Sequence, residues 1–458
     1  MNPSSAAGGA EGAPGVFDPG AGIAGAPGPG TGDFGVSDLG VCPPGDHGAA
    51  VPLTALAASE ACLARVEAVD AQVQAWAYLD RDLVLAQARA VDARRERGPL
   101  HGVPVGVKDI IDTADLPTEN GTVLHAGRRP RQDAAVVARL REAGAVIFGK
   151  TVTTELATYA PGKTRNPHHL AHTPGGSSSG SAAAVAAGMV PVAIGTQTNG
   201  SVIRPAAFCG VVGYKPGFGL IPREGILRQS PTLDQVGVFA RSVTVAARLA
   251  AVLIGGDTGV QLIAAAAAPA PAVPGLGWMR TAAWPRAAGD TRAAFEDLAR
   301  RHGLAEVVMP AVAASAWDWQ RTVMEAEIAQ NYAAEWARGR DRLSASLCTQ
   351  IGRGRALAPQ AVAAARSGIG EVNAAFDRLF DQVEAIVTPA VPGTAPRGLD
   401  STGDPVFCTL WTFAGLPAIT LPLLKGANGL PLGVQLVARH GNDAGLIRAA
   451  AALWQLAR

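Results

Sequence analysis

The sequence predicts an α/β fold, in which strands and helices alternate around a mostly parallel or mixed sheet. Three observations support this class. Between residues 100 and 255, short β-branched runs alternate with stretches whose apolar residues recur at helical spacing. Two more strand-like runs precede a helical pattern over 443–457. Hydrophobic residues make up 48% of the 458 residues, which is enough for a large buried core.

The first part of the chain supplies two helices, a strand, a third helix and a second strand. Apolar residues at helical spacing predict a helix from Ala55 through ALAASEACLARVEAVDAQVQAW, and another over 80–94. VPVGVKDII, from Val103, is β-branched and follows a glycine, so it predicts a strand. A helical pattern over 132–144 ends at a glycine. GAVIFGKT over 144–151 predicts the next strand.

The later elements are less regular. An Ala-rich helical pattern precedes the strand-like MVPVAIG at 189–195. LIAAAAAPAPAVPGLG at 262–277 predicts a spacer, and 291–382 is rich in helical patterns. EAIVTPAVPG at 384–393 predicts a strand that runs into a Pro-rich loop, and TFAGLPAITLPL and LPLGVQLVAR predict two more.

Composition limits the function classes. A net charge of +1 favours neither nucleic acid nor an anionic membrane surface. The five cysteines form no CxxC pair, so neither a zinc site nor a disulfide framework is expected. There is no basic N-terminal patch followed by an apolar run and no long uncharged apolar stretch, so we expect a cytoplasmic protein. Residues 1–50 are rich in Gly and Pro and predict a flexible leader.

The most informative stretch runs from Thr173 to Pro216 and begins TPGGSSSGSAAAVAAG. Ser177 is the first of three consecutive serines, and Ser201 follows 24 residues later in a second Gly-containing turn. One helix and one strand separate the two turns. This arrangement can place one hydroxyl beside the other, with backbone N–H groups directed to the same point.

Two literal motif matches are rejected. GAVIFGKT has the spacing of a phosphate-binding loop, but its central residues belong inside a strand rather than in a loop after one. GSSSG, centred on Ser178, has the spacing of a nucleophile elbow, but NPHHLAHTPG before it is not a strand. In the elbow interpretation, the catalytic histidine that follows the serine in the chain would be His440. Substitution of Ser178 and His440 would test this interpretation.

Several segments together resemble the amidase signature family: GGSSSGSAAAVAAG, GTQTNGS, FCGVVGYKP, GVPVGVKD, GKTVTTELA, AGLPAITLPL and GLPLGVQLV. The resemblance spans about 55–255 and 405–458. It implies one large α/β domain over 51–458, with a central mixed sheet surrounded by helices. It also implies that the helical region at about 278–397 covers the substrate pocket.

The resemblance implies a catalytic triad of Ser201 as nucleophile, Ser177 as the relay in a cis peptide, and Lys108 as base. It further implies an oxyanion hole built from backbone N–H groups, with two supporting residues, and we expect three residues to line the pocket. The oxyanion-hole residues are Thr198, Asn199, Gly200 and Ser201, the supporting residues are Gly176 and Ser178, and the pocket residues are Ala157, Thr158 and Tyr159.

The physical chemistry agrees with this triad. A serine hydroxyl needs an adjacent base, and a lysine can serve only when burial keeps it neutral. Lys108 lies in an apolar strand, and the neighbouring Asp109 points to the other face, so it need not hold the lysine charged. Three positions depart from the common family pattern: Gln197 replaces an acidic residue, Asn199 a glycine, and Arg204 stands three residues after Ser201 rather than two.

The expected function is a stand-alone amidohydrolase that cleaves small or aryl amides, with esters and carbamates (urethanes) as further substrates. It would need water, no metal and no organic cofactor, and no nucleic-acid or membrane partner; a homodimer stays open. The first alternative is a glutaminase subunit of a transfer RNA-dependent amidotransferase, against which the short segment between Ala157 and Asn166 argues. The second is a non-catalytic binding protein, against which the presence of Lys108, Ser177 and Ser201 together argues.

Overall fold

The computed structural model describes residues 54–268 and 275–457, so the predicted leader 1–50 lies outside the described residues. These residues form 11 strands and 14 α-helices. The strands are β1 (Trp76–Tyr78), β2 (Pro104–Lys108), β3 (Val146–Thr151), β4 (Val192–Gln197), β5 (Val212–Lys215), β6 (Gln235–Ala240), β7 (Leu276–Trp278), β8 (Ala305–Glu306), β9 (Ala385–Pro389), β10 (Ala418–Lys425) and β11 (Pro431–Ala438).

The helices surround the sheet formed by these strands. In chain order they are α1 (Ala55–Val73), α2 (Arg81–Asp92), α3 (Ala135–Glu142), α4 (Ser179–Ala186), α5 (Ile203–Cys209), α6 (Val243–Ile254), α7 (Gly256–Ala267), α8 (Gly289–Arg301), α9 (Ala316–Asn331), α10 (Ala333–Gly339), α11 (Ala345–Ala356), α12 (Pro359–Leu379), α13 (Val406–Phe413) and α14 (Asp443–Leu456).

All 11 strands belong to one mixed sheet, in the order β1-β3-β2-β4-β6-β5-β10-β11-β9-β7-β8. The pairs of β2 with β3 and with β4, and of β7 with β8 and with β9, are parallel, and the other pairs are antiparallel. The prediction of one large α/β domain with a mixed sheet is therefore confirmed. β9 lies in the predicted strand EAIVTPAVPG, whereas β8 is a strand within the region 291–382, which was predicted to be rich in helices.

The core lies on both faces of this sheet. Val105 and Val107 of β2 pack in one hydrophobic cluster, whereas Phe148 of β3 and Ala193 of β4 pack in another. Successive strand residues point to opposite faces, so the two clusters cover opposite sides of the sheet. Helix α4 belongs to the second cluster and is buried from Ser179 to Val185. Its small side chains allow it to lie close against the sheet.

Two sequence predictions are wrong in detail. The predicted spacer at 262–277 overlaps helix α7, which continues to Ala267, and strand β7, while 269–274 lie outside the described residues. The predicted first helix ends at Val73, because Gln74 adopts a left-handed backbone with φ 56°, and β1 follows. In the part of the chain that the structure describes, we find no helix with both the length and the hydrophobicity of a membrane span.

Candidate active site

The candidate site forms where two neighbouring parallel strands end. Lys108 is the last residue of β2, and Thr196 and Gln197 end β4, which pairs with β2 in parallel. The carboxyl ends of parallel strands meet at the same edge of a sheet. The turn that contains Ser201 follows β4, and the loop that contains Ser177 precedes α4. The topology thus explains how Lys108 and Ser177 meet although 69 positions separate them in the chain.

The Lys108 amine is fully buried and hydrogen-bonded to two hydroxyl groups. Its Nζ donates to Ser177 Oγ at 2.7 Å and to Thr196 Oγ1 at 2.9 Å. Burial lowers the pKa of Lys108 well below its usual value, the charge of Asp234 counteracts this, and the charge of Arg204 adds to it. Within the described residues Lys108 forms no ion pair. Burial therefore disfavours the charged form of this amine.

The residue after Lys108 is directed elsewhere. The Asp109 carboxylate lies 3.7 Å from Lys150 Nζ and accepts from the backbone N–H of Glu119 at 3.2 Å. Lys150, the lysine of GAVIFGKT, is buried and donates to the carbonyl of Ile111 at 2.6 Å. Both contacts are structural, so Asp109 does not hold Lys108 charged and Lys150 is not free to bind a phosphate.

Ser177 follows a cis peptide bond to Gly176. The Gly176 carbonyl accepts a hydrogen bond from Arg204 Nη2 at 2.7 Å, and the same nitrogen donates to Thr402 Oγ1 at 3.0 Å. A Cβ at position 176 would lie 2.7 Å from Thr402 Cγ2, so the backbone can approach this closely only with glycine. Arg204 is buried, and its contact with the Gly176 carbonyl fixes the loop that carries Ser177.

The turn before Ser201 is held by side chains rather than by its own backbone. Gln197 Oε1 accepts from the backbone N–H groups of Val202 at 2.8 Å and Ile203 at 3.0 Å. Gln197 thus supplies at the start of α5 the acceptor that an acidic residue would supply. Asn199 Nδ2 donates to Tyr159 Oη at 3.0 Å.

The backbone N–H groups predicted for the oxyanion hole have no protein acceptor in the part of the chain that the structure describes. They belong to Thr198, Asn199, Gly200 and Ser201. A Cβ at Gly200 would lie 2.9 Å from Pro405 Cβ, so glycine is required for this close approach. The Ser201 hydroxyl likewise forms no hydrogen bond with another described residue, and 8% of the residue's surface is exposed. The structure therefore brings Lys108 and Ser177 into contact, while the Ser201 hydroxyl and the N–H groups of its turn have no partner among the residues described.

Ser178, the centre of GSSSG, is buried and bonded to the end of β4. Its hydroxyl donates to the Thr196 carbonyl at 3.2 Å and accepts from the Thr196 N–H at 3.3 Å. Both contacts tie the loop to the strand. They agree with a supporting role for Ser178 and leave its hydroxyl with no contact to a described histidine.

Two cavities flank the turn. The first, here the Asp234 cavity, measures about 320 Å³, and its lining includes Ile110, Ala157, Thr196, Thr198, Gln229 and Asp234. The second, here the Tyr159 cavity, measures about 660 Å³, and its lining includes Tyr159, Arg286, Ser346, Thr402, Asp404 and Pro405. Of the predicted pocket residues, Ala157 and Tyr159 thus border different cavities. Thr158 is buried, and its hydroxyl donates to the Glu155 carbonyl at 2.7 Å.

The loop histidines before the serines form ordinary contacts. His168 Nε2 lies 2.9 Å from the Cys209 carbonyl oxygen, and the rings of His169 and His172 meet edge to face at 4.4 Å. Among the described residues, no group of three or more His, Cys, Asp or Glu side chains could hold a metal ion.

Sequence reasoning missed two neighbours of the site. Thr196, the second partner of Lys108, lies near the end of β4, and the strand predicted from the apolar residues stops before it, at 195. Asp234 accepts from Thr198 Oγ1 at 2.7 Å because Gln197 pairs with Gln235 across β4 and β6. Strand register is not visible in a single sequence, so only the pairing itself could have identified Asp234.

Comparison with known proteins agrees with this geometry. The sequence pattern that defines the Amidase family matches residues 57–447. The chain is 36% identical to the A subunit of glutamyl-tRNA(Gln) amidotransferase from Anaeromyxobacter sp. (strain K), over 89% of this chain and 94% of that protein. The mixed sheet and the matching pattern place the chain among α/β enzymes that act on C–N bonds. The chain belongs to the amidase signature family.

Solved structures support the same assignment. The peptide amidase of Stenotrophomonas maltophilia has a TM-score of 0.73 and 30% identity, over 89% of this chain and 94% of that one. A chain from a vestigial protein complex related to the origins of an s-triazine catabolic enzyme has a TM-score of 0.82 and 27% identity, over 88% of this chain and 95% of that one.

Proposed function

We propose that this chain cleaves an amide C–N bond through an acyl-enzyme on Ser201, with Ser177 as the proton relay and Lys108 as the base. One observation carries the proposal. The Lys108 amine is buried, has no ion pair with any residue that the structure describes, and lies 2.7 Å from Ser177 Oγ, beside the turn that contains Ser201. Buried groups whose pKa values are strongly shifted are concentrated at catalytic sites.

In the first half-reaction, Ser201 Oγ attacks the substrate carbonyl carbon. Its proton passes to Ser177, whose own proton passes to the lone pair of Lys108. The carbonyl oxygen becomes an oxyanion, which the unpaired N–H groups of the turn stabilise; one such donor contributes roughly 10²–10³ in rate. Ser177 then protonates the leaving nitrogen while Lys108 returns its proton, and an ester on Ser201 remains.

In the second half-reaction, water attacks the ester carbonyl and gives its proton to Ser177, which passes its own to Lys108. The oxyanion forms again at the same N–H groups. When it collapses, the Ser201–acyl bond breaks, the proton returns to Ser201, and the carboxylic acid leaves. Esters and aryl carbamates could enter the same cycle, because only the leaving group differs.

Two substrate classes fit this cycle. The first is a small or aryl amide hydrolysed by the chain alone. Its support is the likeness to solved amidases, among them the peptide amidase of Stenotrophomonas maltophilia. The Tyr159 cavity, at about 660 Å³, provides space for the aryl group or another small substituent of such an amide.

The second is the side-chain amide of glutamine, with the chain acting as the glutaminase subunit of an amidotransferase for glutamyl-tRNA. The sequence comparisons favour this candidate over the first, because curated relatives at 34–36% identity bear the name of that subunit. The short segment between Ala157 and Asn166 does not outweigh them. Under this candidate, partner subunits and transfer RNA replace the expectation of no nucleic-acid partner.

The two candidates separate in one set of assays. The purified chain and its Ser201→Ala variant are incubated with glutamine, primary amides, anilides, p-nitrophenyl esters and aryl carbamates, and ammonia, amine or phenol release is measured. Turnover of anilides by the chain alone supports the first candidate. Ammonia release from glutamine that needs copurified partner proteins supports the second. Turnover that persists in Ser201→Ala contradicts both.

A further inference from the structure

A carboxylate lies beside the Ser201 turn and has no place in the cycle above. Asp234 immediately precedes β6, opposite the end of β4. Its Oδ1 accepts from Thr198 Oγ1 at 2.7 Å, and its Oδ2 accepts from the backbone N–H groups of Gln229 and Ser230, each at 2.9 Å. Three donors therefore fix the carboxylate, and one of them belongs to the turn that supplies the oxyanion-hole N–H groups.

Charged and titratable groups from several elements face this carboxylate. Arg223 donates to the backbone carbonyl of Asp234 at 2.8 Å. Tyr332, which follows α9, has its pKa raised by burial and, next, by the negative charge of Asp234. Glu327 of α9 is separated from it by Ser230, whose hydroxyl donates to Glu327 at 2.5 Å. Burial raises the pKa of Asp234 to about 6, while its hydrogen bonds and Arg223 lower it, so the group is ionised above that pH.

The charge of Asp234 affects the pKa of Lys108, the proposed base of the reaction. Burial lowers the pKa of Lys108, Asp234 is the source of the opposing electrostatic effect, and Arg204 of α5 acts in the same direction as burial. Thr196, which accepts from Lys108, lines the same cavity as Asp234. A buried ammonium without an opposite charge is strongly disfavoured, so a nearby carboxylate matters at the step where Lys108 becomes protonated.

We propose that Asp234 is a positioning residue with two effects: it fixes Thr198 in the oxyanion-hole turn, and it supplies the counter-charge for the ammonium that forms on Lys108. The inference rests on the proposed serine–lysine chemistry. It adds an acidic group to that chemistry without giving it contact with the substrate.

The test uses a fluorophosphonate probe, so it needs no knowledge of the natural substrate. The serine oxygen displaces fluoride from phosphorus, its proton passes to the relay and the base, and the rate of labelling reports how readily the serine is activated. The second-order labelling constant is measured from pH 5 to 10 for the full chain and its variants.

Asp234→Asn should move the acid limb of this profile to lower pH by about 1 unit, the size of effect expected from a nearby opposite charge. The direction follows because loss of the negative charge destabilises the Lys108 ammonium, and the neutral amine persists to lower pH. Asp234→Glu retains the charge and should leave the limb in place.

Thr198→Val keeps the carboxyl group but removes the hydroxyl that binds it, which raises the pKa of Asp234, so its rate is compared on the alkaline side of the profile where the carboxylate is ionised. There it should lower the labelling constant about tenfold, as expected for loss of a charge-assisted hydrogen bond. Thr198→Ser restores the hydroxyl and should restore the rate. The matched control is Thr349→Val, an exposed threonine of α11 whose hydroxyl donates to the Ala345 carbonyl of its own helix, and it should behave as the parent chain.

The outcomes separate the two proposals. Labelling that survives Ser201→Ala contradicts the proposed function itself. If labelling requires Ser201 and Lys108 but Asp234→Asn leaves the acid limb in place, the proposed function stands and the counter-charge is refuted. If Asp234→Asn does not fold, an unchanged rate in folded Thr198→Val refutes the effect of Asp234 on the turn, because the fixed turn is then unnecessary.

Discussion

The substitution Lys108→Met tests the base most sharply, because it removes the amine and leaves a side chain of similar length. General-base catalysis contributes roughly 10²–10⁴ in rate, which corresponds to about 3–5 kcal/mol of activation free energy. We therefore expect labelling or hydrolysis at Ser201 to fall by at least about 100-fold. The loss should be uniform across substrates, because the base acts on the enzyme's own hydroxyl.

The structure also predicts that this variant remains folded. Lys108 is fully buried and makes hydrogen bonds to Ser177 and Thr196 at 2.7 and 2.9 Å. Losing two such bonds costs about 2 kcal/mol in total, and the methionine avoids the cost of burying an amine, which offsets that loss. The free energy of unfolding should therefore change by less than about 2 kcal/mol.

The pH dependence of the free energy of unfolding tests whether burial disfavours the charged form of Lys108. The pKa of Lys108 is lowered by burial in the folded state, so between that pKa and about 10.4 the unfolded chain binds more protons. The stability of the parent chain must then rise with pH over this range relative to Lys108→Met. Urea denaturation at pH 7 and pH 9.5 measures the difference.

The control is Lys425→Met, which removes an exposed lysine at the end of β10 and should alter neither activity nor the pH dependence. Two results would refute the reasoning. One is activity within tenfold of the parent chain in folded Lys108→Met. The other is a loss of activity that only follows the fraction of unfolded protein.

Three further predictions concern the surroundings of the site. Ser178→Ala should lower the free energy of unfolding by about 1–2 kcal/mol, because it loses the hydrogen bonds to Thr196. Its activity should stay within about tenfold of the parent chain. A collapse of activity in the folded variant would favour the nucleophile-elbow interpretation. Gln197→Ala should lower kcat by at least tenfold with little change in KM, because it releases the start of α5 at Ile203; an unchanged kcat would contradict this. Burial lowers the pKa of Lys215 to about 7, so the stability of the parent chain should rise between pH 7 and about 10 relative to Lys215→Met, and parallel denaturation curves would refute that burial effect.

Much of the fold was predictable because its strands are long apolar runs beside glycines. β2, β3, β10 and β11 all lie where β-branched runs predict them. The strands that sequence reasoning missed, such as Trp76–Tyr78 and Ala305–Glu306, have three and two residues, too short for a periodic pattern. They form because neighbouring strands offer an edge for pairing.

Helix α7 shows a different failure. Its sequence contains the run of alanines that precedes the prolines starting at 269, and the prolines suggested a spacer. Alanine has the highest helix propensity, and helix α7 packs against helix α14, so the alanines are helical up to Ala267. The helix ends at Ala267, two positions before the first of these prolines in the sequence.

The candidate triad could be located from sequence because its residues lie in long family segments. The partners of those residues could not, since they come from distant parts of the chain. Thr402, which contacts Arg204, lies 198 residues from it, and Gln320, which donates to the Thr198 carbonyl, lies 122 residues away. Such contacts depend on how helices and loops pack over the sheet edge, which no local pattern encodes.

The central claim is that Ser201 becomes covalently modified during the reaction. Trypsin leaves 166–223 as one peptide, because Arg204 and Lys215 each precede a proline, so this peptide contains both serine turns. After fluorophosphonate treatment, fragmentation of this peptide in a mass spectrometer assigns the adduct. We expect the adduct on Ser201, and on neither Ser177 nor Ser178. An adduct on Ser178 with Ser201 unmodified would contradict it.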